Sequence, residues 1–188
     1  MNNILIIFLA VVGLVALIVF YGINIYNNLV RLSVQTDEGW SGIDVQLKRR
    51  YDLIPNLVAV VKQYGVHEKE IFQKVAELRS VAMGAHNIKE SAVAEGELTR
   101  TLKTLFAVAE NYPELKANQN FLDLQKQLAT IEQEIQLSRR YYNATARDYN
   151  TVVHSFPAHV IASKYGFTKR DYFQLDEVHE RKAPTIEF

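Results

Sequence analysis

The most uniform stretch of the chain is an apolar segment near its N-terminus, residues 4–23. These 20 residues are drawn only from Ile, Leu, Val, Ala, Phe, Gly and Tyr, and no charged residue occurs before Arg31. At about 1.5 Å per residue, a helix of this length spans the ~30 Å hydrocarbon core of a bilayer. A buried helix of a soluble protein would normally carry a polar stripe, which this segment lacks. The pattern predicts a transmembrane anchor over residues 1–25 that contacts the lipid bilayer through residues 4–23.

A cleaved signal peptide is the competing interpretation of the same segment. It fits less well, because no Lys or Arg precedes the apolar run, the run exceeds the length of a typical signal core, and no small-x-small cleavage site follows. Arg31 lies on the C-terminal side of the segment, and the N-terminal flank has no basic residue. The positive-inside rule therefore favours a cytoplasmic location for the C-terminal part of the chain and an outside N-terminus.

From Tyr26 onward the apolar positions alternate by three and four residues, which predicts helices that each bury one stripe. The stripe of the first helix is Tyr26, Leu29, Ser33, Thr36, Trp40, Ile43, Leu47, Arg50, Ile54, Leu57, Val61 and Tyr64. Pro55 lies inside this helix and predicts a kink over residues 51–55, because proline removes a backbone donor and clashes with the preceding turn. Gly65 is predicted to end the helix.

Three further helices follow by the same spacing. The second covers residues 66–85, and the third begins near Ser91. Residues 111–120 contain Pro113 and are predicted to be a loop. The fourth helix covers residues 121–156 and ends before Pro157. The stripes of these helices are Ile71, Val75, Leu78, Ala82 and Ala85; Leu98, Leu102, Leu105, Ala109 and Tyr112; and Phe121, Leu124, Leu128, Ile131, Ile135, Ser138, Tyr142, Thr145, Tyr149, Val152 and Phe156. A short helix over residues 158–164 completes the pattern.

One-sided helices with short connections predict an all-α fold, an antiparallel, coiled-coil-like four-helix bundle over residues 26–165. The alternative is an open coiled-coil arm that oligomerises, but the stripe includes side chains large enough to fill a bundle core, such as Trp40 and Tyr142. Residues 166–188 form a tail predicted to pack on or near the bundle. The aromatic residues that follow the fourth stripe are expected to fold back rather than to form an exposed surface for a partner or a membrane: Phe156, Tyr165, Phe167, Tyr172 and Phe173.

The composition of the chain excludes several classes of function and of chemical site. The chain of 188 residues has 21 basic and 21 acidic side chains, and this balance argues against a nucleic-acid-binding protein. The adjacent pairs Arg49-Arg50 and Arg139-Arg140 do not change this, because neighbouring helix residues point about 100° apart. The absence of cysteine excludes disulfides, thiolate zinc sites and a thiol nucleophile.

Candidate chemistry is sparse, and we predict no catalytic, cofactor-binding or metal-binding residue. Arg50 occupies a stripe position. If it is buried it requires a carboxylate partner, for which Glu132, beside the stripe of the fourth helix, is placed. A di-iron bundle would need Glu-x-x-His pairs, and the chain has none. The tail cluster Asp176, Glu177, His179 and Glu180 is interpreted as solvated charge rather than as a metal site.

Four segments of the chain resemble the bacterial LemA family in the same order along the sequence. They are DEGWSGIDVQLKRRYDLIPNLVAVVKQYGVHEKE (residues 37–70), YPELKANQNFLDLQ (112–125), RRYYNATARDYN (139–150) and FPAHVIASKYGF (156–167). The resemblance implies a bacterial protein of the inner membrane, with one N-terminal membrane helix and a soluble bundle of long helices. It supplies no catalytic or ligand residue.

The resemblance also implies a direction for the function. The family includes a relative that acts in magnetosome membrane formation, and its members often occur beside an HtpX-type membrane zinc protease. We therefore expect a non-enzymatic, membrane-anchored scaffold that forms homo-oligomers and is linked to membrane organisation or membrane protein quality control. The alternatives are an accessory of the membrane protease and, less favoured, a metal-dependent enzyme or regulator.

Overall fold

The computed structural model describes residues 2–64 and 68–174, and within them the chain is all-α with no β-strand. These described residues form six helices: α1 (Asn2–Gln63), α2 (Lys69–Met83), α3 (Ile88–Ala109), α4 (Pro113–Lys116), α5 (Gln119–His154) and α6 (Ala158–Tyr165). The packing is that of a helical bundle, so the predicted fold class is confirmed. The predicted end at Gly65 lies outside the described residues.

Two of the predicted helix limits are wrong. The apolar segment and the helix predicted to begin at Tyr26 are a single helix, α1, with Pro55 in its interior. The predicted loop over residues 111–120 contains a helical turn, α4, which has proline at its first position, where a missing N–H costs nothing.

The other helix limits differ from the predicted ones by a few residues, and local capping explains two of these differences. Asn87 caps α3 by accepting a hydrogen bond from the Glu90 N–H at 2.9 Å, and Asn118 accepts one from the Phe121 N–H at 3.0 Å.

The chain forms two compact units, and both long helices contribute to each of them. Unit 1 comprises residues 1–40 and 141–170, and unit 2 comprises residues 41–140 and 171–188. The predicted division into anchor, bundle and tail stays a prediction.

Unit 1 is built where α1, α5 and α6 meet. Its core is a cluster of buried residues, Leu29, Tyr149, Val153 and Ala162. The rings of Trp40 and Tyr142 meet edge to face at 5.8 Å. Gly39 allows α1 and α5 to approach closely here, because a Cβ at that position would lie 3.1 Å from the Tyr142 Cα.

The chain after α6 returns to α1 and α5 in unit 1 through residue 170. The Asn150 side chain exchanges two hydrogen bonds with the backbone of Arg170, at 2.9 Å and 2.8 Å. The Arg170 guanidinium donates to Ser33 at 3.2 Å and lies 3.0 Å from a carboxylate oxygen of Asp37. These contacts join the segment after α6 to both long helices.

Unit 2 buries the remaining apolar stripes, as their spacing predicts. Its buried hydrophobic residues come from α1 to α5 and from the segment after α6: Ile43, Leu47, Tyr51, Ile54, Leu57, Val61, Phe72, Val75, Leu78, Ala82, Ala92, Ala94, Leu98, Leu102, Leu105, Ala109, Leu115, Phe121, Leu128, Ile131, Ile135 and Phe173. Phe72 is buried although the prediction placed its neighbour Ile71 on the stripe.

The aromatic residues after the fourth stripe divide between the two expectations. Phe173 is buried, and the Arg139 guanidinium lies over its ring at 5.2 Å, so the predicted folding back is confirmed for this residue. Phe156 is 83% exposed, so the prediction is wrong there. Phe156 lies in the turn that joins α5 to α6, two residues after His154.

Candidate functional site

A buried polar cluster in unit 2 is centred on Arg50 of α1. Its Nη1 lies 3.1 Å from Glu95 Oε2 on α3 and 3.2 Å from Glu132 Oε2 on α5. Its Nη2 donates a hydrogen bond to Thr99 Oγ1 at 2.8 Å. Arg50 and Glu95 are both buried, and Glu132 is partly exposed. A guanidinium with its fork of donors suits this arrangement, because one charge meets acceptors on two helices.

Tyr51 extends the cluster to the other oxygen of Glu95. Its hydroxyl donates a hydrogen bond to Glu95 Oε1. Burial, reinforced by the charge of Glu95, raises the pKa of the Tyr51 phenol far above its ordinary value. The phenol therefore keeps its proton and acts as a donor. Burial also raises the pKa of the Glu95 carboxyl, against the opposing effects of the Arg50 charge and the hydrogen bond from Tyr51.

The backbone of α1 beside this cluster lacks one helical hydrogen bond. Pro55 has no N–H, so the carbonyl of Tyr51, four residues earlier, has no donor within its own helix. Arg79 of α2 supplies that donor, because its Nε lies 2.8 Å from the Tyr51 carbonyl oxygen. α1 thereby continues through Pro55 to Gln63. The predicted kink itself stays a prediction.

The structure brings together the pair that the sequence predicted and adds partners that the sequence analysis missed. Glu132 contacts Arg50, as expected for a buried arginine. Glu95 was missed, although a signal existed, because it lies three residues before Leu98 on the stripe of the third helix. A carboxylate on that stripe is the natural counterpart of an arginine on the first. Thr99, one turn after Glu95, completes the set.

The charged groups of this cluster are paired with one another. The arginine charge is met by two carboxylates, and the buried carboxylate is met by two donors, as a stable buried ion pair requires. A cavity of about 300 Å³ adjoins the cluster and is lined by Thr99, Leu102, Phe106 and Leu128 among others. Among residues 2–64 and 68–174, no group of three or more His, Asp or Glu side chains is placed to hold a metal ion. The tail cluster of Asp176, Glu177, His179 and Glu180 lies outside the described residues.

A second candidate feature is the N-terminal half of α1. The helix includes a window of mean hydropathy 3.2 in which no residue is buried. Length and composition allow this segment to cross a membrane, which fits a membrane location.

Comparison with known proteins places the chain in a family. The family model of the LemA family matches residues 39–188, which include all of unit 2 and, from unit 1, residues 39–40 and 141–170. The chain belongs to the LemA family. The resemblance seen in the sequence is confirmed.

Curated relatives of this LemA-family chain carry two kinds of name. Magnetosome protein MamQ 2 of Paramagnetospirillum magneticum is 26% identical over 79% of this chain and 64% of the relative. Magnetosome protein MamQ of Magnetospirillum gryphiswaldense is 25% identical over 84% of this chain and 66% of the relative. Protein LemA of Metamycoplasma hominis is 25% identical over 86% of this chain and 74% of the relative. The chain thus spans less than two thirds of the length of the magnetosome relatives.

Proposed function

We propose that this chain is a membrane-anchored, non-enzymatic interaction protein that self-associates and acts in membrane organisation. The observation that carries the proposal is the continuity of α1. Its apolar half is exposed, and the same helix enters the bundle at Leu29 without a break. The helix is therefore suited to hold a helical scaffold against a bilayer.

The exposed apolar surface supports the anchor. Large hydrophobic side chains from Ile4 to Ile23 are about half to three quarters exposed. α6 lies beside the C-terminal end of this segment, where its Ile161 is close to Gly22. Such a continuous apolar surface is unfavourable in water and favourable in hydrocarbon. A helix also satisfies its backbone groups internally, which hydrocarbon requires.

The buried cluster around Arg50 supports a role without catalysis. Reactive groups in active sites leave a proton or a lone pair available to a substrate. Arg50, Tyr51 and Glu95 instead direct their polar groups to one another and to Glu132 and Thr99. Their arrangement supports a structural role, in which the cluster fixes the pairing of α1, α3 and α5.

Membrane extraction of the full chain tests the anchor. We expect the protein to stay with membranes through an alkaline carbonate wash. Replacing Leu9 and Leu14 together by Arg should release it, because each charge at the centre of a membrane helix costs about 2.5–3.5 kcal/mol. Val34→Arg is the matched control, since Val34 is exposed on the same helix outside the apolar segment. Release of the unmodified chain by the wash would refute the anchor.

Crosslinking tests self-association. The chain has no cysteine, so a single Leu17→Cys or Val34→Cys substitution provides a unique crosslinking position. We expect disulfide-linked or reagent-linked dimers in native membranes at one or both positions. Monomer alone at every expression level would contradict self-association and leave the anchor intact. The role as accessory of a membrane protease stays a prediction of the resemblance.

A further inference from the structure

A groove in unit 1 lies where the apolar segment of α1 ends. It has a volume of about 440 Å³ and is formed by α1 and α6. Its lining includes Val19, Ile23 and Tyr26 of α1 and Ile161, Lys164 and Tyr165 of α6. The two helices touch at this level, because a Cβ on Gly22 would lie 3.8 Å from the Ile161 Cδ1. The apolar wall of the groove is thus continuous with the exposed surface of residues 4–23.

The rim of the groove has the composition of a membrane interface. Tyr26 meets the ring of Tyr165 edge to face at 5.0 Å and the ring of Phe167 at 5.7 Å. The Lys164 ammonium lies 5.6 Å from the centre of the Tyr165 ring. Tyrosine and lysine side chains concentrate at the level of lipid headgroups, where a polar tip reaches water and an apolar body reaches hydrocarbon.

The outer surface of α6 and of the turn before it carries exposed apolar side chains among polar ones. Phe156 is exposed just before the helix, and Val160 on the helix is 54% exposed. The side of α6 that faces the bundle carries the buried Ala158 and Ala162. α6 therefore has one face on the bundle and an outer face at the end of the apolar segment that combines the apolar Val160 and Tyr165 with the polar His159, Ser163 and Lys164.

The segments that form the groove and its surroundings carry an excess of basic residues, although the chain as a whole is neutral. Residues 1–36 and 149–170 contain four basic residues and no acidic one. The basic residues are Arg31, Lys164, Lys169 and Arg170. Within unit 1, Arg170 is paired with Asp37 and Arg147 with Asp148, which leaves Arg31, Lys164 and Lys169 against Glu38, together with the exposed His154 and His159. Such a distribution is complementary to an anionic lipid surface.

We propose that α6 and Phe156 form a second membrane contact that binds the headgroup layer of an anionic phospholipid bilayer, with one acyl chain in the groove and the phosphate beside Lys164. The inference rests on the proposed anchoring by α1. That anchoring would bring the groove to the headgroup layer, because residue 23 lies about 30 Å along the helix from residue 4. The contact orients unit 1 on the bilayer instead of leaving it attached by a single helix.

Spin labels on the full chain in vesicles test this contact. The absence of cysteine makes Val160→Cys, Leu17→Cys and Val34→Cys unique labelling positions. Val34 is 57% exposed, close to the value for Val160, and is the matched control outside the apolar segment. Each label is measured for collision with oxygen, which enters lipid, and with a neutral nickel chelate, which stays in water. Two vesicle types are compared, phosphatidylcholine alone and phosphatidylcholine with phosphatidylglycerol in a three-to-one ratio.

The expected result is a higher oxygen-to-nickel collision ratio at Val160 than at Val34, and a larger difference in the vesicles with phosphatidylglycerol. The double variant Lys164→Gln and Lys169→Gln should remove that lipid dependence, since each lysine near an anionic surface favours contact about fivefold. Lys48→Gln with Lys103→Gln, which removes the same charge from exposed positions of unit 2, should retain it.

Three other outcomes are distinguishable. If the Leu17 label lies in lipid and Val160 is as accessible to water as Val34, the second contact is refuted and the anchor stands. If the Leu17 label is accessible to water, the anchor itself fails. The third outcome is that the Val160 label is equally inaccessible to the nickel chelate in neutral detergent micelles, and that its spectrum is broadened by a second label nearby. A second copy of the chain then covers α6, and the lipid proposal is overturned.

Discussion

Arg50 and Arg170 each join segments that are far apart in sequence, but they do so in opposite surroundings. The Arg50 side chain is 5% exposed and binds two carboxylates and a threonine within unit 2. The Arg170 side chain is 37% exposed and binds Asp37 and Ser33 within unit 1, with the Tyr149 ring 5.9 Å away. Solvent screens the second arginine and not the first, so the same chemical pairing has different energetic weight.

The comparison also shows what a buried pair contributes. Burying Arg50 and Glu95 costs desolvation energy that their attraction only offsets, so the pair is weak evidence of net stabilisation. We expect its effect to be on the specificity of packing, since α1, α3 and α5 must be in register for the charges to meet. The Arg170 contacts carry no such penalty, and the backbone hydrogen bonds to Asn150 hold the same segment independently.

The largest expected effect comes from removing the buried arginine. Arg50→Ala leaves Glu95 buried without its cation and should lower the free energy of unfolding by about 3–5 kcal/mol. Urea unfolding followed by circular dichroism in detergent measures the change, and amide exchange should increase in α3. Arg49→Ala, on the neighbouring exposed position, is the control and should shift stability by less than about 0.5 kcal/mol. Equal effects of the two variants would contradict the buried cluster.

The pH dependence of stability sharpens the contrast further. Because the pKa of Glu95 is raised in the folded state, the folded chain holds this proton more tightly than the unfolded chain does. The stability that this proton contributes is therefore fully present below pH 4.5, the ordinary pKa of a glutamate. It is lost as the pH rises through the pKa that Glu95 has in the folded chain. As the pH rises through this range, the free energy of unfolding of the unmodified chain should fall relative to that of the Glu95→Gln variant. Glu97→Gln on the exposed face of α3 controls for the loss of one charge.

A smaller effect is expected from removing the Arg79 hydrogen bond, which replaces the helical hydrogen bond that Pro55 cannot donate. Arg79→Leu removes the donor to the Tyr51 carbonyl and should cost about 1 kcal/mol. In a Pro55→Ala background the helix supplies its own donor, so the same substitution should cost distinctly less. A double-mutant cycle in urea measures the coupling. Additive effects would show that Arg79 does not replace the missing helical hydrogen bond.

The smallest effect is expected at the exposed arginine. Arg170→Ala should lower the free energy of unfolding by no more than about 1 kcal/mol, as is usual for exposed ion pairs. The loss should shrink further at high salt, because the contact with Asp37 is screened. A cost as large as that of Arg50→Ala, or one that does not depend on salt, would contradict the distinction between the two arginines.

The sequence predicted burial well and predicted contacts poorly. The three-four spacing identified the buried faces of α1 and α5, since burial repeats with the helical period. It also put Arg50 on the stripe of the first helix and named Glu132 as its partner in case the arginine is buried, while a surface position of the guanidinium stayed open. It could not show that Glu95 and Thr99 meet Arg50, because those contacts depend on how α3 is rotated and displaced against α1.

Other errors have equally physical causes. The separation of the apolar segment from the helix at Tyr26 followed a change in composition, and a helical backbone does not require its side chains to stay of one kind. The turn α4 was missed because proline was taken as a sign of a loop, although proline at a first helical position is favourable. The donor from Arg79 to the Tyr51 carbonyl has no local signature, since it joins residues 28 positions apart.

Because α1 is one continuous helix, the direction in which each side chain of the apolar segment points around the helix axis is fixed by the rest of the helix. Each residue of an α-helix advances the side-chain direction by about 100°, so the outward face of residues 4–23 is set by the way Leu29 and Gly39 sit against α5. Inserting one residue after Ile25 would turn the two parts out of phase, whereas inserting seven would nearly restore it. Any neighbour that binds the apolar face therefore meets the rest of unit 1 at a defined angle around the helix axis.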